Sequence, residues 1–348
     1  MMNRPLVLTL LFAAFCHPVV VHATGLKNLS VQEKDEVKDA KAQYTLGRKY
    51  YDGNGVPRDY PVALKWFRKA ADQGHAEAQF TLGWMYAKGQ GVALSGTEAL
   101  KWFRKAADQG HAEAQFTLAT WNLFGLGVPR DPTEAFKWFR KAADQGFPPA
   151  QYAIGKQLAQ GIGVTKNYAE GLKWIRKAAD QGHADAQYLI GRQFARGDEV
   201  VTKNLPEALK WYRKAADQGH ADAQYTLGGI YQGAIPAFGV QQNQTEALKW
   251  LRKSADQGNA KAQSYLGSMY AEGQGVPQDW TQAYVWFSVA TRFGSKGGAI
   301  ARMSEAFLKQ IVAEEIKDRD QLEKAQKEAD ELFKRISAKK KSAKSTPL

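Results

Sequence analysis

The chain of 348 residues holds a single cysteine, Cys16, and it falls inside an apolar run at the N-terminus. Met1 to Arg4 make a short positive start, and Pro5 to Cys16 are apolar but too few to span a bilayer. Val21 and Ala23 then place small residues at the two positions a signal peptidase reads. Residues 1–23 therefore read as a signal peptide for export, with the cut after Ala23, and the mature chain carries no cysteine. That excludes a cysteine nucleophile, a zinc–cysteine site and a redox pair, and it leaves stability to packing alone, even in an oxidising compartment. Lipid attachment at Cys16 is disfavoured, because Phe15 stands where a lipoprotein signal needs a small residue. Periplasmic residence is the first expectation, with a secreted or surface-exposed protein as the alternative.

Catalytic motifs are also lacking. There is no His-Glu-x-x-His, no phosphate-cradling glycine loop and no Gly-x-Ser-x-Gly elbow. The four histidines after Ala23, His75, His111, His183 and His220, each follow a glycine at one per repeat, too far apart for a shared metal, and read as turn residues. A glycan hydrolase would need two acidic groups about 5–10 Å apart in a cleft, and no isolated pair suggests one. The expectation is a protein that is not an enzyme, with no catalytic, metal or cofactor-binding residues and no cofactor.

What is present is a repeat. Trp66, Trp102, Trp138, Trp174, Trp211, Trp250 and Trp286 recur at intervals of 36 to 39 residues, and the segment Ala63 to Gly74 around the first returns almost letter for letter through Lys253. Each unit reads as two helices. Ala42, Leu46 and Tyr50 form the apolar stripe of the first. Gly47, returning as Gly83, Gly155, Gly191, Gly228 and Gly267, sits in that helix at about 1 kcal/mol of lost propensity each time, which implies close helix approach. The second helix opens at Asp59, Ser95, Asp131, Asn167, Asn204, Asn243 and Asp279, all good N-caps, and closes at Gly74, Gly110, Gly146, Gly182, Gly219, Gly258 and Gly294. The extra residues fall in loops, within 197–201 and 233–239. One helix pair cannot bury its own apolar face, but stacked pairs share a continuous core, so the fold class is all-α, an α/α superhelical solenoid with structural tryptophans.

Ala-Gln-Tyr-Thr-Leu-Gly (42–47), Gly-Asn-Gly-Val-Pro-Arg-Asp (53–59) and Ala-Leu-Lys-Trp-Phe-Arg-Lys-Ala-Ala-Asp-Gln-Gly (63–74) resemble the Sel-1-like repeat, a relative of the tetratricopeptide repeat. The resemblance covers seven repeats over 39–294. It implies a protein–protein interaction scaffold or adaptor, often of the bacterial envelope, and names no partner. Departures are Ala119 in place of the glycine, and a last unit in which Tyr284, Val285, Ser288 and Val289 replace the usual leucine and basic residues. Around this array, 24–38 read as an N-terminal extension or capping helix, with Ser30 and Glu33 as a capping box. Ala299 to Val312 and Glu314 to Ile336 read as C-terminal capping helices, and 337–348 as a basic disordered tail.

The net charge is +13, or +12 once Arg4 is removed. Six repeats each carry Lys-x-x-Arg-Lys and one aspartate, and these account for it. The bases lie on the second helix towards its C-terminal end, where the helix dipole favours them. A solvated face and a stripe for weak contact with an anionic surface both remain open, while export disfavours nucleic acid. Partner recognition is expected instead on the solvent face of the first helices, the concave side, where repeats differ. The candidate partner-binding residues are Arg48, Trp84, Lys88, Trp121, Phe124, Lys156, Arg192 and Arg196, with Trp121 at the rim; that Trp84 and Phe124 fold back over the neighbouring unit, and that Arg192 and Arg196 are simply solvated, are the alternatives. The partner is expected to be an envelope protein, with a host protein as the alternative.

Overall fold

A computed structural model describes residues 37–295 and 297–345. The signal peptide, the capping box and nearly all of the N-terminal extension lie outside the described residues. Seven helical hairpins follow one another: α1 (Ala40–Asp52) with α2 (Tyr60–Asp72), α3 (Ala76–Lys88) with α4 (Gly96–Asp108), α5 (Ala112–Phe124) with α6 (Pro132–Asp144), and α7 (Pro148–Gln160) with α8 (Tyr168–Asp180). Then come α9 (Ala184–Arg196) with α10 (Leu205–Asp217), α11 (Ala221–Tyr231) with α12 (Gln244–Ala255), and α13 (Ala260–Glu272) with α14 (Trp280–Phe293). Two further helices, α15 (Ala299–Gln310) and α16 (Arg319–Ser345), complete the chain. The helices group into two compact units, one ending at Ala178 and the other beginning at Ala179. We call odd-numbered helices of the repeats A and even-numbered ones B.

Each B helix starts as the sequence dictates. Asp59, Ser95, Asp131, Asn167, Asn204, Asn243 and Asp279 all accept the backbone N–H three residues on. Six of the seven closing glycines take positive φ, from 77° at Gly258 to 94° at Gly182, and end the helix in the left-handed conformation. Gly294 differs, with φ −64° and ψ 154°, because here the chain runs on extended towards α15 instead of turning into another A helix.

The recurring glycine of the A helix lets the two helices of the hairpin approach closely. A Cβ on Gly83 would sit 2.4 Å from the Phe103 ring, and one on Gly155 would sit 2.5 Å from Ile175. Phe67, Phe103 and Phe287 are fully enclosed there, and the seven repeat tryptophans are buried beside them. α14 ends the series by packing on α15 and α16, with Phe287 stacked on Phe307 at 4.8 Å, Phe293 against Phe333 at 5.0 Å, and Arg292 paired with Asp330 at 2.5 Å.

Two expectations are corrected here. The first capping helix ends at Gln310, followed by a π-turn at Ile311–Glu315, and the second begins only at Arg319. The second then continues to Ser345, where a disordered tail from 337 was expected. Residues 337–345 contain only Ser, Ala and Lys, with neither Pro nor Gly to stop a helix already anchored by buried Ile336. The tail also makes a contact, since the Lys340 ammonium lies 5.1 Å from the Phe293 ring centroid.

Candidate functional site

The junction between successive hairpins uses the same polar chemistry again and again. Near the start of each A helix a glutamine is buried; Gln43 donates to the Val37 carbonyl, and in the other six the side-chain N–H donates to a carbonyl at the end of the preceding B helix. Gln79 bonds to Ala71, Gln115 to Ala107, Gln224 to Ala216 and Gln263 to Ala255, all at 3.0 Å. Its carbonyl in turn accepts from the glutamine that ends its own B helix, as in Gln109 to Gln79 (2.6 Å) and Gln145 to Gln115 (2.8 Å). Both ends of the buried amide are thereby satisfied. In the last repeat Phe293 replaces the second glutamine, and the Gln263 carbonyl meets no donor among the described residues.

The histidines belong to the same junction. His75, His111, His183 and His220 are N-caps of A helices, with ring Nδ1 accepting the N–H of Ala78, Ala114, Ala186 and Ala223 at 3.1–3.3 Å. Nδ1 can accept only when it carries no proton, which assigns the proton to Nε2. That proton is used across the repeat boundary. His111 Nε2 lies 2.7 Å from Glu77 and His220 Nε2 lies 3.2 Å from Asp185. The hydrogen bond from His111 is the chief reason the Glu77 carboxyl is held below the usual range. Desolvation lowers His75 and His183, with carboxylates nearby opposing it. These residues read as turn residues from sequence, and the structure gives them a capping role. Asn259 occupies the same position in the last repeat and caps in the ordinary way, which was the available signal.

The proposed partner-binding positions separate into two groups. Trp84 and Trp121 are each only 3 % exposed. Their rings meet the two sides of Phe103 edge-on, each with centroids 5.3 Å apart, so both belong to the core. An A helix is flanked both by its own B helix and by the neighbouring hairpin, so the face opposite its apolar stripe is partly covered too. Phe124 remains 44 % exposed, and Lys88 is half-buried over Trp84, where desolvation lowers its ammonium to about 8. Arg48 pairs with Asp52 at 3.0 Å. Lys156 is exposed and lies 5.4 Å from the Tyr152 ring. Arg192 and Arg196 are exposed on α9 in the unit that begins at Ala179, whereas the other six positions lie in the unit that ends at Ala178.

The basic stripe of the B helices is largely occupied within the fold. Its first lysine pairs with a glutamate one turn back in five repeats, from Lys101–Glu98 at 2.6 Å to Lys173–Glu170 at 3.7 Å. Its last lysine covers the tryptophan of the same helix, with Lys69 at 4.6 Å from Trp66 and Lys141 at 4.0 Å from Trp138. Its arginine reaches the next hairpin: Arg68 donates to Tyr86, Arg213 to Tyr231 at 2.8 Å and Arg252 to Tyr270.

A second basic row lies at the loops joining A to B helices. Arg58, Leu94, Arg130 and Lys166 occupy the same place in the first four repeats, each with its Cβ against the left-handed glycine that closes the A helix. Sequence reasoning passed over this row, because it sits in loops outside the helical registers that were compared. In the unit beginning at Ala179, by contrast, a hollow of about 340 Å³ is lined by Asp222, Asn259, Lys261, Phe293 and Ile300, and Asp222 accepts there from Asn259 at 2.9 Å. No group of metal-ligating side chains occurs among the described residues, and no described helix is long and apolar enough to cross a membrane.

Comparison with known proteins follows the same units. The Sel1 repeat profile matches residues 40–75, 76–111, 112–147, 148–183, 184–220, 221–259 and 260–292. The crystal structure of a Sel1 repeat protein from Oxalobacter formigenes is 36 % identical, with a TM-score of 0.67 over 80 % of this chain and 78 % of that one. A protective antigen of uropathogenic Escherichia coli strains, described as displaying an SLR fold, is 30 % identical, with a TM-score of 0.55 over 91 % of this chain and 74 % of that one. The curated proteins contain no match.

Proposed function

The chain belongs to the Sel1-repeat family, whose members generally mediate protein–protein interactions and are generally not catalysts, and from that premise we propose that it is an exported scaffold of the bacterial envelope. The observation that carries this reading is a division of labour within each repeat. Of the junction residues, the glutamine recurs in every repeat, the glycine seat in six of seven and the capping histidine in four, while the exposed ends of the A helices and the loops beyond them change from Lys88 to Phe124 to Gln160. Packing constrains the first set, and the second is open to a partner. Export rests on the N-terminal sequence, with its positive start, short apolar run and small residues at Val21 and Ala23. The Escherichia coli relative is a protective antigen, which supports a secreted or surface-exposed location as the second reading.

The test is fractionation of cells producing the native chain, joined to N-terminal sequencing and co-purification. Recovery from the periplasm with Thr24 at the N-terminus, together with one envelope protein in stoichiometric amount, is expected. Recovery from the medium with a host protein bound would favour the second reading. An intact leader in the cytoplasm would refute export, and a pure, partnerless chain from every compartment would refute the scaffold.

A further inference from the structure

The loop edge of the first four repeats differs from the other charged surface of the molecule in what its charges touch. Arg58 donates to the Asp52 backbone carbonyl and Arg130 to that of Leu123, and neither is in an ion pair among the described residues. Lys166 is exposed, with no carboxylate within ion-pair distance among the described residues. The neighbouring carboxylates are occupied elsewhere: Asp52 is paired with Arg48, and Asp59 and Asp131 cap helices. Among these bases stand two exposed apolar side chains, Leu94 at 71 % and Phe124 at 44 %. Lys88 is the last residue of α3 and Phe124 the last of α5, one position before the glycines on which Leu94 and Arg130 rest. Apolar side chains interleaved with bases along one row suit a ligand that brings an apolar anchor and flanking negative charge.

We propose that this edge, Arg58, Leu94, Arg130 and Lys166 with Lys88 and Phe124 beside them, binds an extended acidic segment of a partner protein, with one bulky apolar residue seated on Leu94 and Phe124. The proposal rests on the reading of the chain as a protein-binding scaffold. Spacing supports an extended rather than a helical ligand. Stacked helices stand about 8–10 Å apart, and an extended polyproline II chain advances about 3.1 Å per residue with about three residues per turn, so every third side chain returns to the same face at a matching interval. A segment reading Glu-x-x-Leu-x-x-Glu-x-x-Glu would set carboxylates against Arg58, Arg130 and Lys166, and its leucine against Leu94.

The probe is the synthetic peptide Glu-Ser-Ser-Leu-Ser-Ser-Glu-Ser-Ser-Glu and its reversed sequence, fluorescently labelled and titrated with the mature chain by anisotropy. One of the two is expected to bind, with affinity falling as salt is raised. Arg130→Glu is expected to weaken binding about fivefold or more, and Leu94→Ser about threefold to tenfold. Lys65→Glu, which makes the same charge change on the B-helix face, should leave binding within about twofold. All three positions are exposed, and circular dichroism checks that each variant is folded. Failure of both peptides to bind, or an equal loss in Lys65→Glu, overturns the proposal, as does binding to phosphatidylglycerol vesicles without binding to peptide. None of those results touches the scaffold reading, which stands or falls on co-purification.

Discussion

Two faces of this molecule carry basic side chains, and they differ in what the charge does. On the B helices the bases pair with glutamates, cover tryptophans and bridge to tyrosines of the next hairpin. At the loop edge of the first four repeats they meet backbone carbonyls or solvent, beside exposed Leu94 and Phe124. The B-helix charge, repeated most faithfully, is a structural component of the repeat. The less regular charge is the one free to recognise something. Net charge therefore locates nothing until each base is traced to its partner.

The comparison can be broken hardest at the core that the B helix seats. Phe103→Ala removes a fully buried ring between Trp84 and Trp121, and should lower stability by about 3–5 kcal/mol in urea unfolding. A loss below about 1 kcal/mol would mean that the two tryptophans are not packed on it. Next in size is the buried amide. Gln79→Leu removes two hydrogen bonds, one to the Ala71 carbonyl, which keeps the Gly74 N–H, and one from the exposed Gln109 amide, for an expected loss of about 1–3 kcal/mol.

Acidification comes third. Burial holds His75 and His183 below 6.5, so the neutral form is the one the fold prefers. Their stabilising contribution is complete above pH 6.5 and is lost as pH falls through the depressed values; that of Glu77, held low by His111, is lost only as pH falls below 4.5. The unfolding midpoint should drop between pH 7 and pH 5, and His75→Asn with His183→Asn should flatten that slope while keeping the caps. A slope unchanged in the double variant would assign the pH dependence to other groups.

The smallest effects sharpen the comparison most. Lys69→Ala uncovers Trp66 and should cost about 0.5–1 kcal/mol. Arg58→Ala and Arg130→Ala at the edge should stay within about 0.5 kcal/mol of the parent. If the edge variants destabilised as much as Lys69→Ala, the division between structural and recognition charge would fail.

The fold was legible because its signals are local and repeated: seven N-caps, six left-handed closing glycines and six glycine seats in seven hairpins can be read without knowing what packs on what. The candidate site was less legible, for a geometric reason. Assigning Trp84 and Trp121 to a solvent face assumed that a helix has one buried side, whereas an A helix here is flanked by two hairpins. A buried glutamine at a fixed place in every repeat was visible in the sequence, but its two partners lie eight residues back and thirty or more residues ahead. The basic edge went unnoticed because loop residues have no periodicity to align.

The glutamine clamp has a consequence for how such a gene can change. Gln79 and Gln109 stand in the same relation as Gln115 and Gln145, each thirty residues apart, with the same carbonyl eight residues before the first. An in-frame deletion of 76–111 would place Gln115 behind Ala71 at the spacing it now has from Ala107, and the glutamine clamp of the new junction would find both its partners already in place. Recombination between repeats would then register as a change of length, with the glutamine clamp at the joint the same as those on either side.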